Sequence, residues 1–122
     1  PYLFTLRWLD KTAATTTTNG ISVLGLAVEE LRNLNRRPSE IWVVENETAL
    51  YMLPEIKNGL AIWSRGKALS LLTDIPFFTQ ANLYYWGDLD EDGFAMLNDF
   101  RGLYPQVESR FMDMACKIST HL

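Results

Sequence analysis

The pair Asp88-Leu89-Asp90 sets two carboxylates two residues apart, directly after the aromatic run Asn82-Leu83-Tyr84-Tyr85-Trp86. Gly87 and Gly93 let the backbone bend on either side of the pair. Glu45 follows the short apolar run Ile41-Trp42-Val43-Val44 in the same way, and Asp113 follows the stretch 107–112. Carboxylates are hard oxygen ligands. Magnesium takes oxygens at about 2.0–2.1 Å in an octahedron, typically one or two protein carboxylates completed by water and substrate phosphate. An ion held this way stabilises charge on a phosphate and lowers the pKa of an attacking water. Glu45, Asp88 and Asp90 are therefore candidate ligands for Mg²⁺ or Mn²⁺ and candidate catalytic groups, with Asp113 a candidate fourth carboxylate.

The same residues admit a rival. Asp88, Asp90, Asp92 and Gly93 match the opening of an EF-hand calcium loop, with Asp99 at its twelfth position. That position normally carries Glu, and an EF-hand needs a helix where residues 77–86 are aromatic and strand-like. Around the candidate ligands, Glu47 reads either as an auxiliary acid or as a solvated first-turn helix residue. Arg65 and Lys67 read either as phosphate contacts or as ordinary surface cations. Asp113 could equally cap the segment that follows it. Tyr84, Tyr85 and Trp86 read as core, and no tyrosine is marked as a nucleophile, so hydrolysis by activated water is preferred. Cys116 has no base near it in sequence and reads as a small core residue. His121 sits at the chain end.

Elements that would position these groups follow from the apolar spacing. Residues 2–9 read as a strand, and the Thr-rich stretch 11–19 as a loop. Residues 21–34 carry Val23, Leu24, Ala27, Val28, Leu31 and Leu34 at helical spacing behind Asn19 as a cap. The runs 41–44, 60–63, 82–86 and 107–112 read as strands; 48–53, 66–72 and 94–100 read as helical. Strands alternating with helices argue for an α/β fold with a largely parallel sheet. In such sheets the ligand site lies outside the carboxyl ends of the strands. Glu45, Asp88 and Asp113 would then meet on one sheet edge despite their separation in sequence.

The bulk properties agree with one domain over 1–122, its core at about 38–115. The chain has 122 residues, is 48% hydrophobic, and carries four Trp, enough for a packed core. Its longest apolar run, 21–28, falls far short of the ~20 residues of a membrane helix. One cysteine excludes an internal disulfide and, with no secretory leader in view, suggests a reducing cytoplasm. Pro1 in place of Met suggests a piece of a longer protein. The net charge of −4 is unlike a simple electrostatic DNA binder. From Tyr85 to Asp99 lie five acids and no Lys or Arg, a patch that a bound cation would neutralise.

Trp42-Val43-Val44-Glu45-Asn46-Glu47-Thr48, and then Tyr85-Trp86-Gly87-Asp88-Leu89-Asp90 through Gly93-Phe94, resemble the two sequence blocks of the JetD family of Wadjet anti-plasmid systems. Ser109 to Asp113 is similar to a third block, and the resemblance covers most of the chain from Arg7 onward. It implies a Toprim-like fold: a small parallel sheet of about four strands flanked by helices, with one glutamate and a DxD motif binding magnesium. Glu45 maps onto that glutamate, and Asp88 and Asp90 onto the aspartates. It further implies a Mg²⁺-dependent endodeoxyribonuclease that cuts double-stranded plasmid DNA beside an SMC-like motor complex, without a membrane, and with a homodimer as an option for the parent protein. Other domains would then deliver the DNA, so the isolated piece would cut poorly or not at all. The chain departs from the family at Ser64-Arg65-Gly66, where glycine is commoner, and at Glu91-Asp92, where a Thr-His pair is common. The contrasting class is a non-catalytic interaction module whose carboxylates hold a calcium or structural ion.

Overall fold

A computed structural model describes residues 2–64, 67–87, 91–112 and 118–120. Strands β1 (Leu3–Trp8), β2 (Val23–Ala27), β3 (Glu40–Val44), β4 (Gly59–Trp63), β5 (Asn82–Gly87), β6 (Glu108–Met112) and β7 (Ile118–Thr120) form one sheet in the order β2-β1-β4-β3-β5-β6-β7. Its centre, β4-β3-β5-β6, is parallel throughout. Three antiparallel strands extend it, β1 and β2 on one side and β7 on the other. The four parallel strands expected from the apolar runs are present in an α/β fold compatible with a Toprim-like one. The sheet itself is wider than expected, and β1 and β2 come from before residue 38.

Strand alternation divides the side chains between two faces. Ile41, Val43, Leu60, Ile62, Leu83 and Tyr85 enter a larger core. Helices α1 (Lys11–Thr18), α2 (Val28–Arg32) and α4 (Glu91–Leu103) supply Ala13, Ala14, Leu31, Leu97 and Phe100 to that core. The short 3₁₀ segments Lys67–Leu71 and Pro76–Thr79 add Leu69, Phe77 and Phe78. Trp42, Val44, Ala61 and Trp86 point the other way, where α3 (Glu47–Met52) and the residue after it bring Ala49, Leu50 and Leu53. Helices on both faces of a parallel sheet are what its doubly apolar strands require.

Two stretches differ from the expectation. Residues 11–18 are a helix rather than a loop: Asp10 Oδ1 accepts from the Thr12 and Ala13 amides, and Asn19 closes the end at φ 55°. The cap and the burial of Ala13 and Ala14 outweigh the weak helix propensity of the Thr run. Residues 21–34 are not one helix. They form β2 and then α2, because pairing with β1 sets Leu24 opposite Leu6 and Leu26 opposite Phe4. Asn19 therefore ends one helix instead of starting another.

α4 is anchored by Phe100, fully buried with its ring 5.5 Å from that of Tyr104. Phe100→Ala is expected to cost about 3–5 kcal/mol, lowering Tm by about 10–20 °C. Thermal unfolding followed by circular dichroism checks this, and a shift under about 3 °C would show that the helix does not depend on this anchor.

Candidate metal centre at the carboxyl edge of the sheet

The register places Val44 beside both Trp63 and Trp86, and Gly87 beside Phe111. All four parallel strands therefore end on one edge. The next residues in sequence are Glu45, Ser64, Asp88 and Asp113. Asp88, Asp90, Asp113 and Arg65 lie outside the described residues, as do Cys116 and His121. Lys67 opens the first 3₁₀ segment, directly beyond this edge in sequence. Glu47 is exposed in the first turn of α3, with Asn46 capping that helix by accepting from the Ala49 amide at 2.9 Å.

Glu45 is held from several directions. Its amide donates to Trp86 O at 3.0 Å, which carries the β3–β5 ladder one step past the end of β3. Its carbonyl accepts from Trp63 Nε1 at 3.3 Å. The neighbouring Val44 carbonyl takes both the amide and the hydroxyl of the fully buried Ser64, at 2.9 and 3.2 Å. With its backbone fixed, the half-buried Glu45 has little choice of face. It continues the series Ile41, Val43, Glu45, opposite the series Leu83, Tyr85, Gly87 on β5.

The carboxylate lies against Gly87. A Cβ added at Gly87 would come within 2.5 Å of Glu45 Oε2, 2.8 Å of Tyr85 Cε1 and 3.0 Å of the Tyr85 hydroxyl oxygen. The missing side chain of Gly87 is thus the space that the Glu45 carboxylate fills. Gly87 immediately precedes Asp88, so one of the three proposed ligands is held within a residue of another along the chain. The described residues thus seat a carboxylate at the strand-end edge, against the glycine where the DxD segment begins. Among the described residues no group of three or more His, Cys, Asp or Glu side chains could hold a metal, as two of the three proposed ligands are not among them.

The EF-hand alternative does not match this geometry. Its entering helix would occupy the residues before Asp88, and these are strand β5, hydrogen-bonded in register to β3 and β6. The aromatic stretch could not be wound into a helix without opening the centre of the sheet.

Gly87, Tyr85, Trp63 and Ser64 were not singled out as site residues from sequence. The signal for the first two was the two-residue period of the strand, which puts Tyr85 and Gly87 on the face of Glu45 once β3 and β5 are parallel. Trp63 and Ser64 carried no such signal, because their bonds to Glu45 and Val44 depend on which strand lies next to β3. On the opposite face Trp42 stacks on Tyr84 at 4.6 Å, and the Arg110 guanidinium lies 5.1 Å from the Tyr84 ring. Burial, with the nearby Glu40 and Glu108 carboxylates, pushes the Tyr84 phenol above its ordinary value, so it stays protonated.

Among the described residues no helix is long and apolar enough to cross a membrane. No curated protein matches the chain. The family described as Wadjet protein JetD, C-terminal, matches residues 1–120, nearly the whole length and the full span of the sheet that carries Glu45 and Gly87. The chain belongs to the JetD C-terminal family of Wadjet proteins.

Proposed function

We propose that this chain is a Toprim-type endonuclease domain, in which Glu45, Asp88 and Asp90 hold Mg²⁺ or Mn²⁺ and direct hydrolysis of double-stranded plasmid DNA. The observation that carries the reading is the Glu45 carboxylate seated against Gly87, at the carboxyl edge where the parallel strands end. Membership in a Wadjet family supports a setting in plasmid defence. The DNA would be brought by an SMC-like motor complex in the cytoplasm, with the parent protein able to pair as a homodimer.

In this mechanism the DxD pair supplies the negative ligands, and Glu45 completes the oxygen shell or moves a proton at the attacking water. A divalent ion bound there would polarise the scissile phosphate and make water a competent nucleophile near neutral pH. The chain's own contribution is position. The Glu45 backbone is clamped by Trp86 O and Trp63 Nε1, which fixes the point from which its carboxylate reaches the edge. Asp113, Arg65 and Lys67 are proposed as auxiliary groups, one acid and two phosphate contacts.

Calorimetric titration of Mn²⁺ into the wild type and an Asp88→Asn/Asp90→Asn variant tests the assignment. Loss of an outer-shell partner typically costs about 10–100-fold in metal affinity, and loss of both aspartates is expected to cost at least that. Equal affinity in the two proteins would remove the DxD pair from the metal site.

A further inference from the structure

The opposite edge of the sheet carries a different charge. A groove of about 490 Å³ opens there between the start of α1 and the turn before β4, and Lys11, Arg36 and Lys57 line it. The backbone of Arg37 adjoins it, since its carbonyl accepts from Asn58 Nδ2 at 3.0 Å, and its side chain is exposed. Four of the chain's 11 Lys and Arg residues thus gather at one place in a protein of net charge −4. Among the described residues the single ion pair is Arg110–Glu108, so none of these four cations is neutralised by a carboxylate at contact distance.

The frame of the groove is built. Arg36 Nε donates to Asn58 Oδ1 at 2.9 Å and its Nη1 donates to Thr16 Oγ1 at 3.0 Å, so neutral acceptors hold the guanidinium, whose charge acts on Asp10 only through space. Asn58 adopts φ 53°, which aims its amide at Asp10 Oδ2, 2.7 Å away. The Asp10 carboxylate takes two further amides, from Thr12 and Ala13, and so serves as an internal cap. The Asn58 amide bond, ahead of the Thr12, Ala13 and Arg36 contributions, holds the Asp10 carboxyl below the usual range against the opposing effect of burial. Glu55 is the other acid lining the groove.

We infer that this amino-edge groove is a second DNA contact, in which Lys11, Arg36, Arg37 and Lys57 bind backbone phosphates away from the metal centre. The inference rests on the nuclease reading for its choice of DNA as the polyanion. Charge complementarity favours it: unpaired cations on a fixed frame are what phosphate contacts require, and they carry no base specificity. The geometry is compatible, since five-residue strands separate the two edges by about 16 Å, roughly half of one ~34 Å turn of duplex. A duplex lying along the strand direction could touch both. The acidic carboxyl edge would then receive DNA already held from the other side.

The test is fluorescence anisotropy of a labelled duplex at low salt in EDTA, where the metal centre cannot contribute. The wild type is compared with Lys11→Glu/Arg37→Glu/Lys57→Glu, which spares the structural Arg36. Circular dichroism and Tm verify the fold of the variant. Binding by the wild type is expected, with the triple variant at least about tenfold weaker and its log–log salt slope shallower by about 2–3. Equal affinity and slope in a folded variant, or no binding by the wild type, would overturn the groove assignment. Groove-dependent binding of a polyglutamate peptide as tight as that of DNA would also overturn it, in favour of an acidic protein partner. The Mn²⁺ titration is independent of all these outcomes, so the metal reading and the groove can fail separately.

Discussion

Gly87→Ala is expected to weaken Mn²⁺ binding by about 10–100-fold while the protein remains folded. The added methyl would meet Glu45 Oε2 at 2.5 Å and Tyr85 Cε1 at 2.8 Å, both too close for any real Cβ. The two neighbours differ in what they can yield. Glu45 Oε2 is the far end of a flexible side chain and can swing out toward solvent at modest cost. Tyr85 is fully buried in the main core and can move only by disturbing its packing. The carboxylate will therefore give way first, leaving the position from which it would reach the ion. Overpacking against Tyr85 adds a stability loss of about 1–3 kcal/mol, visible as a lower Tm. Calorimetry with Mn²⁺ on the folded variant measures the affinity, and a Gly87→Ala protein that binds Mn²⁺ as tightly as wild type would show that the seat at Gly87 does not matter.

That seat was only half legible in the sequence. The runs Ile41–Val44, Leu60–Trp63 and Asn82–Trp86 announced buried parallel strands because both of their faces are apolar, a pattern that needs no tertiary information. Their common direction then placed Glu45 and the DxD segment on one edge. What could not be read was the register. Only the Val44–Trp86 pairing puts Glu45 beside Gly87 rather than beside Trp86, and a slip of one residue would turn the carboxylate to the other face.

The region before residue 35 was misread for a related reason. Val23, Leu24, Ala27, Val28 and Leu31 satisfy helical spacing, yet Leu24 and Leu26 also satisfy the alternation of a strand packed on the core. A local pattern compatible with both periods is decided by a distant partner, here β1, whose Leu6 and Phe4 face those two leucines. The Thr run of α1 failed in the opposite direction. Its helix depends on Asp10, which is also tied to Asn58 across the groove, a contact between residues 48 apart that no local window contains.

The largest effect is expected at Glu45 itself. In the complete parent protein with its partners, Glu45→Ala should lower plasmid cleavage by about a hundredfold to ten-thousandfold, several kcal/mol of lost transition-state stabilisation. The fold should survive. Glu45 is half-buried beyond the end of β3, and its amide bond to Trp86 O and its carbonyl bond from Trp63 Nε1 are backbone bonds that alanine retains. Tm should therefore change by no more than a few degrees, about 1 kcal/mol or less. Removing the carboxylate also empties the space against Gly87, so Gly87→Ala should cost little further activity in the Glu45→Ala background. That non-additivity separates a positioning role for Gly87 from an independent one. The measurement is initial rate of plasmid cleavage with saturating Mg²⁺ for the two single variants and the double. Wild-type cleavage by a folded Glu45→Ala protein would exclude Glu45 from the chemistry, and additive losses would mean that Gly87 acts through something other than the Glu45 carboxylate.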